Sequence, residues 1–155
     1  LSTWPGMTNT SDPINATGMT HHFASPLLRL RVMAETLAVC RLDPLEAIPG
    51  WACNSAWFSI TRTPHELSIV CAQQAVPSDT RCERDWRGVE VAGPLDFALT
   101  GILAALTQPL ADAGISVFAL STYDTDYLLV RSTDLEDALS VLTRAGHTVQ
   151  RDAAC

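Results

Sequence analysis

The spacing of hydrophobic and polar positions changes period several times along the chain, and each change predicts an element. Leu28, Leu30 and Val32 alternate with Arg29 and Arg31, the period of a half-buried strand over 28–32. The apolar run over 36–40 continues that strand after a bend. Asp43-Pro44-Leu45-Glu46-Ala47 reads as a short helical turn, with Asp43 as its cap, Pro44 at the first helical position and Pro49-Gly50 as its stop. Two β-prone runs, over 56–61 and 66–71, flank Arg62-Thr63-Pro64-His65. Pro64 fixes φ and cannot donate to a ladder, so this link predicts a hairpin turn. A polar connection over 77–85 then leads to a strand over 86–92.

The second half is more regular. Asp96 is placed to cap a helix whose apolar face runs Leu99, Ile102, Leu103, Leu106 and Leu110. Pro109 inside it removes one backbone hydrogen bond and predicts a kink, and Gly114 stands where a left-handed cap belongs. Strands over 115–120 and 127–131 are joined by the polar turn 121–126. A capping box, Thr133 to Glu136, opens a second helix that buries Leu135, Leu139 and Leu142 and stops at Gly146. A last strand covers 147–150. From Trp86 onward the order is β-α-β-β-α-β, the split βαβ plan with antiparallel strands and both helices on one face. The first half repeats the order of strands with shrunken helices. The expected fold class is therefore α+β. It comprises two ferredoxin-like units in tandem, over 27–85 and 86–151, after a flexible leader (1–26) and before a short tail (152–155).

Composition narrows the function more than the fold. With 155 residues, 47% hydrophobic and 17% charged, the chain is globular and has room for one ordinary domain or two small ones. A net charge of -7 argues against nucleic acid as a partner. No apolar run reaches the length of a membrane span, so no membrane partner is expected. The leader lacks the basic start and apolar core of a signal peptide, which points to the cytoplasm and makes the glycosylation-like triplets at Asn9 and Asn15 chance matches. Cys40, Cys53, Cys71, Cys82 and Cys155 form no C-x-x-C pair. They offer no metal site, and Cys40 and Cys71 read as small core residues. His21-His22 reads as a solvated pair in the leader.

The residues suited to chemistry collect late in the chain. The stretch from Pro94 to Gly101 reads as a helix start, whose free N–H groups and aligned peptide dipoles suit a carboxylate. Gly101 permits close approach there, either of a ligand or of a packed neighbouring element. Asp124 and Asp126 flank Thr125 and can pair with a ligand ammonium, though Asp and Thr also serve ordinary turns. Tyr123 either covers a ligand or packs over its turn. His65 reads as a solvated turn residue and His147 as a cation at a helix carbonyl end. The chain shows no nucleophile elbow, phosphate loop or dinucleotide fingerprint, and no histidine lies near the two aspartates. The reading is a non-enzyme without a cofactor.

Residues 58–70 and the run 93–130, above all Ile115-Ser116-Val117-Phe118-Ala119-Leu120-Ser121-Thr122-Tyr123-Asp124-Thr125-Asp126-Tyr127, resemble the tandem-ACT proteins of the CASTOR-like group. The resemblance covers about residues 28–150. It implies two ACT-like domains and regulatory binding of a free amino acid at a seam between ACT units. Carried over residue by residue, Ser116 and Val117 match seam positions on one unit. Gly101, Ile102, Thr122, Tyr123 and Asp126 match positions that hold the ligand on the facing unit. Animal members carry four units in one chain, so a homodimer of this chain would restore the same seam. Leu99 stands where the arginine-binding members carry an acidic side chain, which leaves the identity of the amino acid open. A ligand-independent dimerisation module is the competing reading.

Overall fold

The computed structural model describes residues 26–151. Residues 1–25 of the leader, with His21-His22, and the tail with Cys155 lie outside the described residues. Seven strands form one sheet: β1 (Arg29–Leu42), β2 (Ser59–Arg62), β3 (Leu67–Ala72), β4 (Cys82–Val91), β5 (Phe118–Ser121), β6 (Asp126–Arg131) and β7 (Thr148–Arg151). Two α-helices join them, α1 (Ile102–Asp112) and α2 (Leu135–Arg144), and short 3-10 turns occupy Gly50–Cys53, Gln73–Ala75 and Ser132–Asp134. The strand order is β2-β3-β1-β4-β6-β5, with β7 paired to the start of β1.

β1 and β4 belong to both halves of the sheet. β1 pairs antiparallel with β3 through its second half and with β4 along most of its length. The first half thus has the split βαβ strand order, its two helices reduced to the 3-10 turns at Gly50–Cys53 and Gln73–Ala75. In the second half, the start of β1 slips between β7 and β4. One pairing is consequently parallel, Arg29 with Thr148 through Val32 with Arg151, where an antiparallel sheet was expected. The two predicted pieces over 28–32 and 36–40 are one strand, and the bend between them is a register shift between Val32 and Thr36. β4 begins at Cys82, inside the predicted polar connection, because Asp85 takes a positive φ of 63° and re-phases the strand.

Both helices cover one face. Leu30, Val32, Val89, Val91, Leu128 and Val130 on the sheet pack against Ile102, Leu106 and Leu110 of α1 and Leu135, Ala138, Leu139 and Leu142 of α2. A second cluster under the 3-10 turns holds Cys40, Leu67, Ile69 and Cys71, which confirms the two thiols as core residues. The neighbouring Cys71 thiol and burial push the Cys40 thiol up. The reverse face carries Leu37, Val70, Trp86 and Leu129, closed at its margin by Trp57 against Tyr127, with ring centroids 5.2 Å apart.

Four local expectations need correction. Residues 43–47 form a turn and no helix: Asp43 accepts from Leu45 N–H at 2.9 Å through its carboxylate and from Glu46 N–H at 3.1 Å through its carbonyl. The strand predicted over 115–120 begins only at Phe118; Ile115 and Val117 pack into the core from the preceding loop. The capping box is not made, because Glu136 reaches instead to Arg151, at 2.9 Å from Oε1 to Nη1. His147 is no exposed cation. It is buried, its Nδ1 lies 3.3 Å from Leu28 N–H and its Nε2 lies 3.3 Å from the Ala105 carbonyl.

Candidate functional site

The segment after β4 decides where the site lies. Helix α1 does not begin at an Asp96 cap; it begins at Ile102, after Gly101 in a left-handed conformation with φ 81°. Asp96 instead folds its own turn, accepting from Ala98 N–H through its carboxylate at 2.9 Å and from Leu99 N–H through its carbonyl at 2.9 Å. The apolar spacing that predicted an earlier start counted Leu99, which is 53% exposed. A residue with φ 81° cannot continue a right-handed helix, and glycine holds it without strain. The free N–H groups therefore belong to Ile102, Leu103 and Ala104. No side chain caps them.

The hairpin between β5 and β6 closes over this helix start. Thr122 N–H donates to the Thr125 carbonyl at 2.8 Å, and the Thr122 hydroxyl donates to the same carbonyl at 2.9 Å. The Thr125 hydroxyl is buried and donates to the Val91 carbonyl, and Leu95 N–H donates to the Asp124 carbonyl at 2.8 Å. These bonds tie the hairpin tip to the loop that leads into α1. Gly93 makes the approach possible: a Cβ there would sit 2.8 Å from the Asp124 carbonyl oxygen and 3.2 Å from Thr125 Cβ. We predict that Gly93→Ala forces the tip and loop apart and costs about 1–3 kcal/mol, read as a lowered melting temperature with loss of amide protection at Leu95.

Between them lies a cleft of about 430 Å³. Gly101, Ile102, Thr122, Tyr123 and Asp126 all line it, with Leu99, Leu103, Ala104, Ser121 and Asp124. Its lining includes Asp96, Asp124 and Asp126 and no basic residue. The Ser121 hydroxyl donates to Asp126 Oδ1 at 2.6 Å and fixes that carboxylate. No basic side chain among the described residues pairs with Asp126. One wall thus offers free amides at a positive helix end and the other a fixed carboxylate. The two groups face each other across the same cleft.

Ser116 and Val117 do not join this cleft. They lie in the loop between α1 and β5, Ser116 exposed and Val117 against the core. Sequence reasoning passed over Thr125, Ser121 and the rim residue Phe97. Phe97 and Tyr123 meet edge to face at 4.8 Å and are 72% and 80% exposed. The turn signal at 121–126 was available for Ser121 and Thr125; nothing in the local sequence shows that Phe97 faces Tyr123.

A model described as the ACT domain matches residues 81–144, and a second model, for an N-terminal domain, matches residues 35–79. The cytosolic arginine sensor for mTORC1, subunit 1, of Bos taurus is 32% identical over 99 residues, which is 57% of this chain and 30% of the sensor. The human protein CASTOR3P is 35% identical over 92 residues, 51% of this chain and 56% of that protein. The chain therefore spans between 30% and 56% of the length of these relatives. A solved protein from Agobacterium tumefaciens is 40% identical, with a TM-score of 0.79 over 83% of this chain and 96% of its own. The ligand-free regulatory subunit of aspartate kinase from Thermus thermophilus has the same fold, with a TM-score of 0.51 at 12% identity over 74% of this chain and 96% of that subunit.

Proposed function

The chain belongs to the ACT-domain proteins of the CASTOR-like group, and on that premise we propose that it is a non-catalytic regulatory protein that binds a free amino acid. The observation that carries this reading is the opposition, across one cleft, of the uncapped amides of Ile102 to Ala104 and the Asp126 carboxylate. An α-carboxylate suits the amides, an ammonium group suits Asp126, and Leu99, Phe97 and Tyr123 offer apolar area to a side chain. The two ACT-like units of the proposal share β1 and β4, and the cleft lies in the second of them.

The exposure of Phe97, Leu99 and Tyr123 at its rim supports a homodimer, in which a second copy covers them and brings its own Ser116 and Val117 to the ligand. The arginine sensor named among the relatives makes arginine one candidate, but Leu99 adds no charge for a guanidinium.

A thermal-shift screen of the free amino acids tests the reading. At a hundredfold excess over Kd, a ligand of the folded state adds about 2.7 kcal/mol. One amino acid or a small related set should raise the melting temperature, and no response to any would refute the proposal. Ser116→Trp tests the shared seam. It should leave the unliganded melting temperature within about 1 °C, since exposed substitutions change stability little, while abolishing the shift. An unchanged shift would mean that each chain binds alone.

A further inference from the structure

The two hairpins of the sheet are repeats of one another, 59 positions apart. β2 ends at Arg62 and β5 at Ser121; β3 begins at Leu67 and β6 at Asp126; each second strand runs directly into a 3-10 turn. Thr63 and Thr122 hold their tips by the same bonds. Thr63 N–H donates to the Glu66 carbonyl at 2.9 Å, as Thr122 N–H does to that of Thr125 at 2.8 Å. Each threonine hydroxyl also accepts from the last amide of its turn, at 3.1 and 3.3 Å. The loop that follows β1 thus stands to the first hairpin as the loop that follows β4 stands to the second.

The first of these two places is filled by the chain itself. The Arg62 guanidinium reaches from the end of β2 into the loop after β1, donating through Nη1 to the Pro44 carbonyl and through Nη2 to the Glu46 carbonyl at 2.8 Å. The Asp43 turn holds both acceptors in place. The partners of the guanidinium are thus the two backbone carbonyls of an exposed turn. Ser121 occupies the corresponding position of the second repeat, and its short side chain turns back to Asp126, leaving that cleft unfilled.

We propose that the first repeat carries a guanidinium-binding site on its surface, formed by the Pro44 and Glu46 carbonyls and occupied from within by Arg62, and that residues 62 and 121 decide which of the two repeats is open to an outside ligand. A planar fork offers two N–H donors in fixed directions to the two carbonyls, where an ammonium offers a more strongly hydrated point charge, so the site prefers guanidinium to ammonium. The guanidinium site rests on the contacts of Arg62 and on the repeat alone, and only the role given to residue 121 rests on the amino-acid reading of the second cleft.

The test is chemical rescue of Arg62→Ala with methylguanidinium. The variant should melt about 2–4 °C below the parent chain, as expected for a lost charge-assisted pair in a protein of this size. Millimolar methylguanidinium should restore most of that loss, whereas methylammonium at equal ionic strength should not, and the parent should respond to neither. If Arg62→Ala does not fold, Arg62→Gln serves the rescue in its place. Arg62→Lys should fall between parent and alanine variant. An unchanged melting temperature in Arg62→Ala, a loss that methylguanidinium leaves uncorrected, equal rescue by the two cations, or a parent-like Arg62→Lys would each overturn the proposal.

Discussion

Replacing His147 with leucine is expected to destabilise the chain by roughly 3 kcal/mol, although no part of the cleft is touched. The reason lies in Pro109. It sits inside α1 without an N–H, so the carbonyl four residues earlier, that of Ala105, loses its helical donor. His147 supplies the replacement, with Nε2 3.3 Å from that carbonyl, while Nδ1 accepts from Leu28 N–H at 3.3 Å. The two roles require the neutral ring with its proton on Nε2. A leucine fills the space but leaves a donor and an acceptor without partners in a buried place, each costing about 1–3 kcal/mol.

A double-mutant cycle separates this account from simple misfit of the new side chain. Pro109→Ala restores an N–H that can bond Ala105 in the ordinary helical way. His147→Leu should therefore cost less in the Pro109→Ala background, by about 1 kcal/mol. Strict additivity of the two substitutions in urea denaturation would show that the carbonyl of Ala105 is not what His147 satisfies.

The same pair shows what the sequence could reveal and what it could not. Pro109 announced a missing hydrogen bond in α1, but the partner that restores it lies 42 positions beyond Ala105, and no local pattern points to it. Periodicity located the strands at 29–32, 67–71 and 127–131 and the apolar face of α2, because burial of alternate or every third to fourth residue is a local property. It misjudged the start of α1, where Leu99 kept the helical spacing and the backbone at Gly101 broke it. It also could not foresee that β1 would pass between β7 and β4, since strand order depends on which edges remain free after the hairpins close. Five of the seven residues carried by the family resemblance line one cleft, and Ser116 and Val117 stand apart from it. The proposed homodimer would bring them to the ligand of a second copy, a relation that one chain's local sequence does not contain.

Asp126→Asn is expected to separate ligand binding from folding. Asp126 is half-buried, accepts one hydrogen bond from Ser121, and has no cationic partner among the described residues. The amide oxygen of asparagine can keep the Ser121 bond, so unliganded stability should change by no more than about 0.5 kcal/mol. Against a bound ammonium the change is large. The neutral amide replaces a charge-assisted bond and leaves the ligand's cation in the cleft without its counter-charge, a loss on the order of 2–5 kcal/mol. Since each 1.4 kcal/mol is about tenfold in Kd, affinity should fall by roughly 30-fold to several thousandfold. Titration calorimetry with the amino acid found in the screen reads this directly. Removing the free amides is not possible by side-chain substitution, but the opposite wall has its own probe. The same amino acid with its carboxylate converted to an amide should lose affinity on both the parent chain and Asp126→Asn, because helix amides and carboxylate recognise different ends of one molecule. If Asp126→Asn binds as tightly as the parent, the ammonium lies elsewhere, and the cleft between Gly101 and the hairpin is not where the ligand is held.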